Sequence, residues 1–367
     1  MNPFELADSV RYLDDTRFKI ITRNNFRNID NLENTLALEA IKITRELTPE
    51  LQIAIEEVCN NLSIESNKIN AYINPSEVIN AGCVNTTRDK CIITFTSPLV
   101  NLLTIDEIKF TVGHELGHFL LNHCLEDWVS NESQQSLIKK RAGEISCDRI
   151  GLLACKDISV SIKSMMKSLS GLSGKYLTYD MKSFLKQLDD IKYETRSLSQ
   201  FYTHPAFLLR VKALLRFAQS DKYLHIKNGV HSGGTPIETV DKQIQTDLNK
   251  YVDSRVRDDI AISKVNVSFW ANVFALISDG NFTKKDQQII SNKFGSHKLD
   301  QLSKMLKTME SKTMAINEIR EKLFFAINSY KEAAPNNAKE EINIILIDIE
   351  KETNQKDIFS KIFKDIT

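Results

Sequence analysis

The stretch Thr111-Val112-Gly113-His114-Glu115-Leu116-Gly117-His118-Phe119-Leu120 constrains this chain more than any other. It contains His-Glu-x-x-His. On an α-helix, residues four apart project from one face, so His114 and His118 can aim two imidazoles at one point. Neutral imidazoles at that spacing suit Zn2+, and Glu115 between them is placed to take a proton from a metal-bound water. The neighbouring residues predict the helix that this requires. Thr104-Ile105-Asp106-Glu107 has the form of a capping box, and Ile108, Val112 and Leu116 follow at four-residue steps.

With 7 histidines in 367 residues the pattern can arise by chance, so a third ligand decides its meaning. A catalytic zinc takes three protein ligands and keeps a position open for water. Downstream, Arg141-Ala142-Gly143-Glu144-Ile145-Ser146-Cys147-Asp148-Arg149 offers Glu144 and Asp148, again four apart. Glu144 can complete the site, and Asp148 can accept the second ring N–H of a ligating imidazole. The metzincin pattern is excluded, because Leu121 and Cys124 stand where it requires glycine and histidine. His123, five residues past His118, points off the ligand face of a straight helix and reads as a supporting or surface histidine.

Lys plus Arg and Asp plus Glu both number 48, so there is no charge argument for nucleic acid or an anionic membrane surface. No run of transmembrane length is expected, and the start Met1-Asn2-Pro3-Phe4-Glu5-Leu6 lacks the basic-then-apolar order of a signal peptide. A cytoplasmic location is expected, with delivery to another cell by a signal-less route compatible with the same sequence. Cys59, Cys83, Cys91, Cys124, Cys147 and Cys155 form no Cys-x-x-Cys pair, and reduced, mostly buried thiols are expected.

The length favours two domains, read as residues 1–220, a linker at 221–240 and a third segment, 241–367, that is all-helical. Residues 35–45 have an amphipathic helical look. A helix starts at Thr48-Pro49 and carries Leu51, Ile55, Val58, Cys59 and Leu62 on one face. Ile69–Asn74, Val78–Val84 and Cys91–Thr96 read as strands of a small antiparallel sheet leading into the His114 helix. Helical spacing continues over 178–192 and again from Tyr202-Thr203-His204-Pro205 to about Phe217. The linker assignment rests on Gly229, Ser232-Gly233-Gly234 and Pro236. Beyond it, Ala315–Tyr330 is the clearest helix, and the apolar Ile342–Ile349 is read as a buried helix. The fold class is α+β, mainly helical, with an all-α C-terminal domain.

Four blocks in this order resemble the zinc metallopeptidases of the HtpX and CAAX-prenyl-protease type, within the gluzincin class. Asn80-Ala81 with the Cys91–Thr96 strand is similar to the family's substrate edge strand and its successor. Leu99–Leu103, Asp106-Glu107 and His114–His118 resemble its metal helix. Glu144-x-x-x-Asp148-Arg149-x-Gly151 resembles its third-ligand helix, and Thr203-His204-Pro205 with Arg210 its late histidine-proline motif. The resemblance implies one Zn2+ per chain held by His114, His118 and Glu144, with Glu115 as general base. It also implies that His204 and Arg210 lie near the substrate and steady the charge on the attacked carbonyl, though Arg210 has a structural alternative in pairing with Asp148 or Glu144. An exposed edge strand suits an extended protein or peptide substrate. The chain departs from the family in the absence of a legible membrane span and in having Gly82-Cys83 where a bulky residue is usual.

Phe274–Asp286, with Asp279-Gly280 between helices, resembles the turn of TerB-like helical domains; a plain helix–turn–helix with Thr283 as N-cap explains it as well. The residues together imply a zinc-dependent endopeptidase. The alternatives are a zinc-binding regulatory or interaction protein with little turnover, its C-terminal domain holding a protein partner, and a latent protease restrained by that domain.

Overall fold

The computed structural model of the protein describes residues 2–15, 30–86, 90–124, 133–190, 207–229, 233–278, 280–335, 337–355 and 357–359. The chain divides into two compact units. One comprises Met1–Glu132 and Ser136–Ser254, and the other Arg255–Thr367 together with Ser133–Gln135.

The first unit opens with α1 (Pro3–Val10), closed at its start by a capping box between Asn2 and Glu5. After α2 (Asp30–Glu39) and β1 (Ile41–Lys42), α3 (Pro49–Asn61) begins with Pro49 in its first turn and buries Leu51, Ile55, Val58 and Cys59. The amphipathic stretch at 35–45 thus ends its helix earlier than expected and turns into an edge strand. β2 (Ile69–Asn74), β3 (Ala81–Asn85) and β4 (Cys91–Thr96) follow.

The sheet order is β1-β2-β4-β3. β1 pairs antiparallel with β2, and β3 antiparallel with β4, but β2 and β4 run parallel from Ile69 opposite Cys91 to Asn74 opposite Thr96. The sheet is therefore mixed, correcting the antiparallel expectation. Parallel neighbours need a long connection, and residues 75–90 supply it by carrying β3 out to the edge before β4 returns between β2 and β3.

α4 (Ser97–Leu102) leads into α5 (Ile105–Leu120), whose Thr104–Glu107 capping box is present as the sequence predicts, with bonds of 2.8 and 3.3 Å. α5 packs against α1, α3, β3, β4 and α7 (Ile158–Ser170). Val112, Leu116 and Phe119 join Ile55, Ile93, Phe95 and Leu152 in the main core. α6 (Gln134–Cys155) crosses α5 at glycines. A Cβ on Gly117 would lie 2.9 Å from Cys147 Cα, and one on Gly151 would lie 2.9 Å from the Phe110 carbonyl oxygen. Side chains at these positions would force the two helices apart.

α8 (Met181–Lys186) is followed by α9 (Phe207–Phe217), α10 (Asp221–Asn228) and α11 (Ile237–Leu248). Ala142 and Ile145 of α6 meet Leu209 and Ala213 of α9 and Val240, Ile244 and Leu248 of α11 in a second apolar cluster. The stretch expected as a linker thus holds α10 and the start of α11. Gly229 at φ +70° closes α10, and Gly233 at φ +65° and Gly234 at φ +104° precede α11.

The described part of the second unit is built from α12 (Ser254–Ile277), α13 (Lys284–Phe294), α14 (Ser296–Lys307), α15 (Lys312–Ala333) and α16 (Ala338–Thr353). Its core joins Val267, Phe274, Ile290, Leu302, Ile319, Leu323, Ile327 and Leu346. Ile342, Leu346 and Ile349 are buried at helical spacing while Ile344 and Ile347 are exposed, so Ile342–Ile349 is helical with one face buried. Val256–Ile277 is long and apolar enough to cross a membrane by length and composition, with 44% of that window buried inside the protein. The expectation that no run reaches that length is therefore not confirmed: four of the charges of α12 fall at Arg255–Asp259, and Lys264 is the single charge in the span beyond them. Thr283 caps α13 reciprocally with Asp286, and Asp279 of the preceding turn lies outside the described residues.

Candidate metal centre

α5 brings its two histidines to one point. His114 is 8% exposed, Glu115 is 7% exposed, and the His114 and His118 rings stand edge to face with centroids 5.0 Å apart. Their Nε2 atoms are 3.3 Å apart. Glu144, delivered by the close α5–α6 crossing, places Oε2 3.5 Å from His114 Nε2 and Oε1 3.4 Å from His118 Nε2. Tetrahedral ligands at zinc bond lengths of about 2.0–2.1 Å stand about 3.3 Å from one another. The 3.3 Å between the imidazoles, and the 3.4 and 3.5 Å from each imidazole to its nearer Glu144 oxygen, match that spacing, and two imidazoles with a carboxylate are a donor set that zinc accepts.

Asp148, one turn beyond Glu144, sits behind His114, with Oδ1 3.0 Å from Nδ1. A carboxylate there keeps the proton on Nδ1 and leaves the Nε2 lone pair for a metal. Arg210 of α9 donates to Asp148 from Nε at 2.8 Å and Nη2 at 2.6 Å, and its Nη1 lies 3.0 Å from Glu144 Oε2. Its guanidinium also stacks over the Phe207 ring at 4.9 Å. Burial acts against the charge of Glu144, but Arg210 and the two histidines outweigh it and hold the carboxyl well below its ordinary value. Asp148 is lowered in the same way, burial again being overcome by Arg210 and His114. Arg210 is thereby the buried counter-charge of two carboxylates, the pairing left open as the alternative to an oxyanion role.

Behind His118 stands His123, with the two Nδ1 atoms 3.2 Å apart, and behind His123 stands Asp15, 3.1 Å from Nε2. Burial lowers the His123 pKa against the pull of Asp15. For His118, burial favours the neutral ring, yet the hydrogen bond and charge of Glu144 dominate and raise the pKa to about 9. The sequence reading of His123 as a supporting residue off the ligand face fits this position, but Asp15 was missed. No local spacing joins Asp15 to His123, so nothing in the sequence signalled it.

His118, His123 and Cys147 also bring donor atoms within 4.8 Å of one another. Burial and the surrounding carboxylates push the Cys147 thiol well above its ordinary value, which works against thiolate ligation. Cys147 packs under the site, as the sequence predicts.

A cavity of about 640 Å³ opens over these residues. Ile79 to Val84, including the edge-strand residues Asn80 and Ala81, form one wall, and His114, Glu115, His118, Glu144 and Arg210 another. Asn80 is tied to Thr96, its N–H donating to Oγ1 at 2.9 Å and its carbonyl accepting the Thr96 N–H at 3.0 Å. Among the described residues β3 pairs only with β4, so its outer edge is unpaired. His204 and its histidine-proline motif lie outside the described residues.

Convergent His-His-Glu donors, an acidic neighbour and an edge strand in one cleft define a site of the metallopeptidase kind. Comparison with known proteins agrees. Residues 45–138 match the model of Peptidase family M48, a stretch that contains α5 and stops short of Glu144. The chain is also similar to the plastoglobule-localized metallopeptidase 48, chloroplastic, of Arabidopsis thaliana, at 22% identity over 261 residues, covering 56% of this chain and 76% of that protein. No solved structure matches the chain. Together these similarities support a peptidase hydrolase with metallopeptidase activity.

Proposed function

We propose that the protein is a zinc-dependent endopeptidase, with His114, His118 and Glu144 as ligands and Glu115 as general base. The observation that carries this reading is the convergence of the three ligand side chains, the imidazoles 3.3 Å apart and each 3.4 or 3.5 Å from one Glu144 oxygen, with Glu115 lining the same cavity. Zinc bound there supplies Lewis acidity, acidifying water to a pKa of about 7 and polarising the scissile carbonyl. The Glu115 carboxylate takes the proton of the attacking water and passes it to the departing amide nitrogen. Asp148 holds His114 in the ligating tautomer, and Arg210 keeps Glu144 and Asp148 ionised in a buried setting. The edge of β3 holds an extended peptide by main-chain hydrogen bonds. A wall of six consecutive residues, Ile79 to Val84, the last four of them in β3, suits the interior of a substrate chain better than its end, which favours endopeptidase action. His204 near the substrate, the HtpX and prenyl-protease subtype and a TerB-like second unit belong to the same proposal.

Purified protein is expected to hold about one zinc per chain, and Glu115→Gln to keep the metal while losing cleavage. Proteomes exposed to wild type and to Glu115→Gln are compared for new termini. Equal sets of termini, or full activity in a metal-stripped preparation, would sink the reading.

A further inference from the structure

The two ligating histidines are supported differently. His114 has a carboxylate directly behind its ring, whereas His118 is backed by another imidazole. The His118 and His123 Nδ1 atoms are 3.2 Å apart, and His123 Nε2 is 3.1 Å from Asp15 Oδ2. The side chains of His123 and Asp15 are both 0% exposed. Two ring nitrogens at hydrogen-bond distance need one donor and one acceptor. Asp15 accepts from His123, so the His123 proton sits on Nε2 and its Nδ1 is bare. The donor across the 3.2 Å contact is then His118 Nδ1–H, which makes His118 Nε2, facing Glu144, the nitrogen that gives up its proton and ligates when a metal binds. Cys147 Sγ, 3.4 Å from the same His123 nitrogen, is the weaker donor to it.

Asp15 reaches this position because the N-terminal turn is tied down. The Tyr12 N–H donates to Ser146 Oγ at 3.0 Å and the Leu13 N–H to Asp241 Oδ2 at 3.2 Å. Arg149 Nη1 donates to the Val10 carbonyl at 3.1 Å, and Arg11 Nη1 to Asp15 Oδ2 at 3.3 Å. Each tie holds the turn, and Asp15 is the side chain that it delivers toward the metal centre.

We propose that His123 and Asp15 are positioning residues for the metal centre: two hydrogen bonds in series hold His118 in its ligating tautomer and orientation, so the N-terminal segment sets metal affinity. The inference rests on the zinc-site reading above and extends it to residues outside every motif in the sequence. Outer partners of metal-bound histidines typically govern affinity by about 10–100-fold.

The test uses the full chain with Zn2+ alone as the probe. Affinity is read by competition with a chromophoric chelator, and ring protonation by nitrogen-15 spectra of labelled histidine in the zinc-loaded protein. Wild type is expected to show His118 protonated at Nδ1 and His123 at Nε2. Asp15→Asn and His123→Leu are expected to weaken Zn2+ binding about 10–100-fold, with faster solvent exchange of the His118 Nδ1 proton. A His118 ring bare at Nδ1 in wild type overturns the relay, as do folded variants that bind Zn2+ as tightly as wild type. If a variant fails to fold, the wild-type spectrum decides alone. Wild type that takes up no Zn2+ would instead remove the metal centre itself, a result distinct from variants that merely equal wild type.

Discussion

Arg210 grips Asp148 with two parallel hydrogen bonds, Nε to Oδ2 at 2.8 Å and Nη2 to Oδ1 at 2.6 Å, and neither residue is more than 6% exposed. The same guanidinium reaches Glu144 at 3.0 Å. Removing it leaves two buried carboxylates without their nearest cation. Breaking one side of a buried pair costs about 3–5 kcal/mol. Arg210→Met is therefore expected to lose stability in that range without metal. Zn2+ should recover part of the loss, because it brings positive charge to Glu144. Arg210→Lys keeps the charge but not the fork and should lose less. Thermal unfolding with and without Zn2+ checks this; an Arg210→Met deficit that zinc leaves untouched would argue against the shared role.

The second prediction concerns backbone approach. Gly117 lies between the two ligand-bearing turns, and a Cβ there would meet Cys147 Cα at 2.9 Å and Cys147 Sγ at 3.2 Å. Alanine in a helix interior normally gains up to about 1 kcal/mol over glycine. Overpacking typically costs about 1–3 kcal/mol, and here backbone atoms must move, so the cost should win. Gly117→Ala is expected to be destabilised and to bind Zn2+ more weakly, because pushing α6 away carries Glu144 with it. A stabilised Gly117→Ala with unchanged metal affinity would show that the helices sit further apart than described.

How much of this was legible in the sequence follows from what is local. His114, Glu115, His118, Glu144 and Asp148 could be read because helical periodicity fixes where residues four apart point. The Thr104–Glu107 cap and Pro49 at the start of α3 were readable for the same reason. The direction of β4 relative to β2 was not, since strand composition carries no sign for parallel or antiparallel pairing. Asp15 and His123, 108 positions apart, meet through the docking of a whole segment, which no local pattern records. Arg210 sat between the two cases: its proximity to the site was implied by the family resemblance, but its partners came only with coordinates.

A third prediction separates stability from the metal site. Lys167 Nζ donates to Glu107 Oε2 at 2.6 Å, with side chains 7% and 5% exposed, beside the cap that starts α5. Glu107 Oε2 also accepts the Thr104 N–H, so one buried carboxylate serves the cap and the cation together. Lys167→Ala should cost about 3–5 kcal/mol, while zinc affinity in the remaining folded protein stays close to wild type. Chemical denaturation and chelator competition on the same preparation test both halves, and a large affinity loss would place Lys167 in the metal machinery instead.

The last prediction concerns pH in the metal-free protein. His118 has its folded pKa raised to about 9 from the ordinary 6.5, with burial opposing and Glu144 driving the rise. A raised histidine contributes stability that is fully present below the unfolded pKa and is lost as pH rises through the folded one. Metal-free protein should thus lose stability between about pH 6.5 and about 9. Zinc takes the neutral ring, so binding in that window must expel the His118 proton, and affinity should climb by up to about tenfold per pH unit until near pH 9. Glu144, held well below its ordinary value, is already ionised and releases nothing. Calorimetry at pH 7.5 in buffers of different ionisation enthalpy should therefore count about one proton released per Zn2+ from this ring. A count near zero would mean that His118 is already neutral in the metal-free protein and that Glu144 does not hold its proton as the 3.4 Å contact implies.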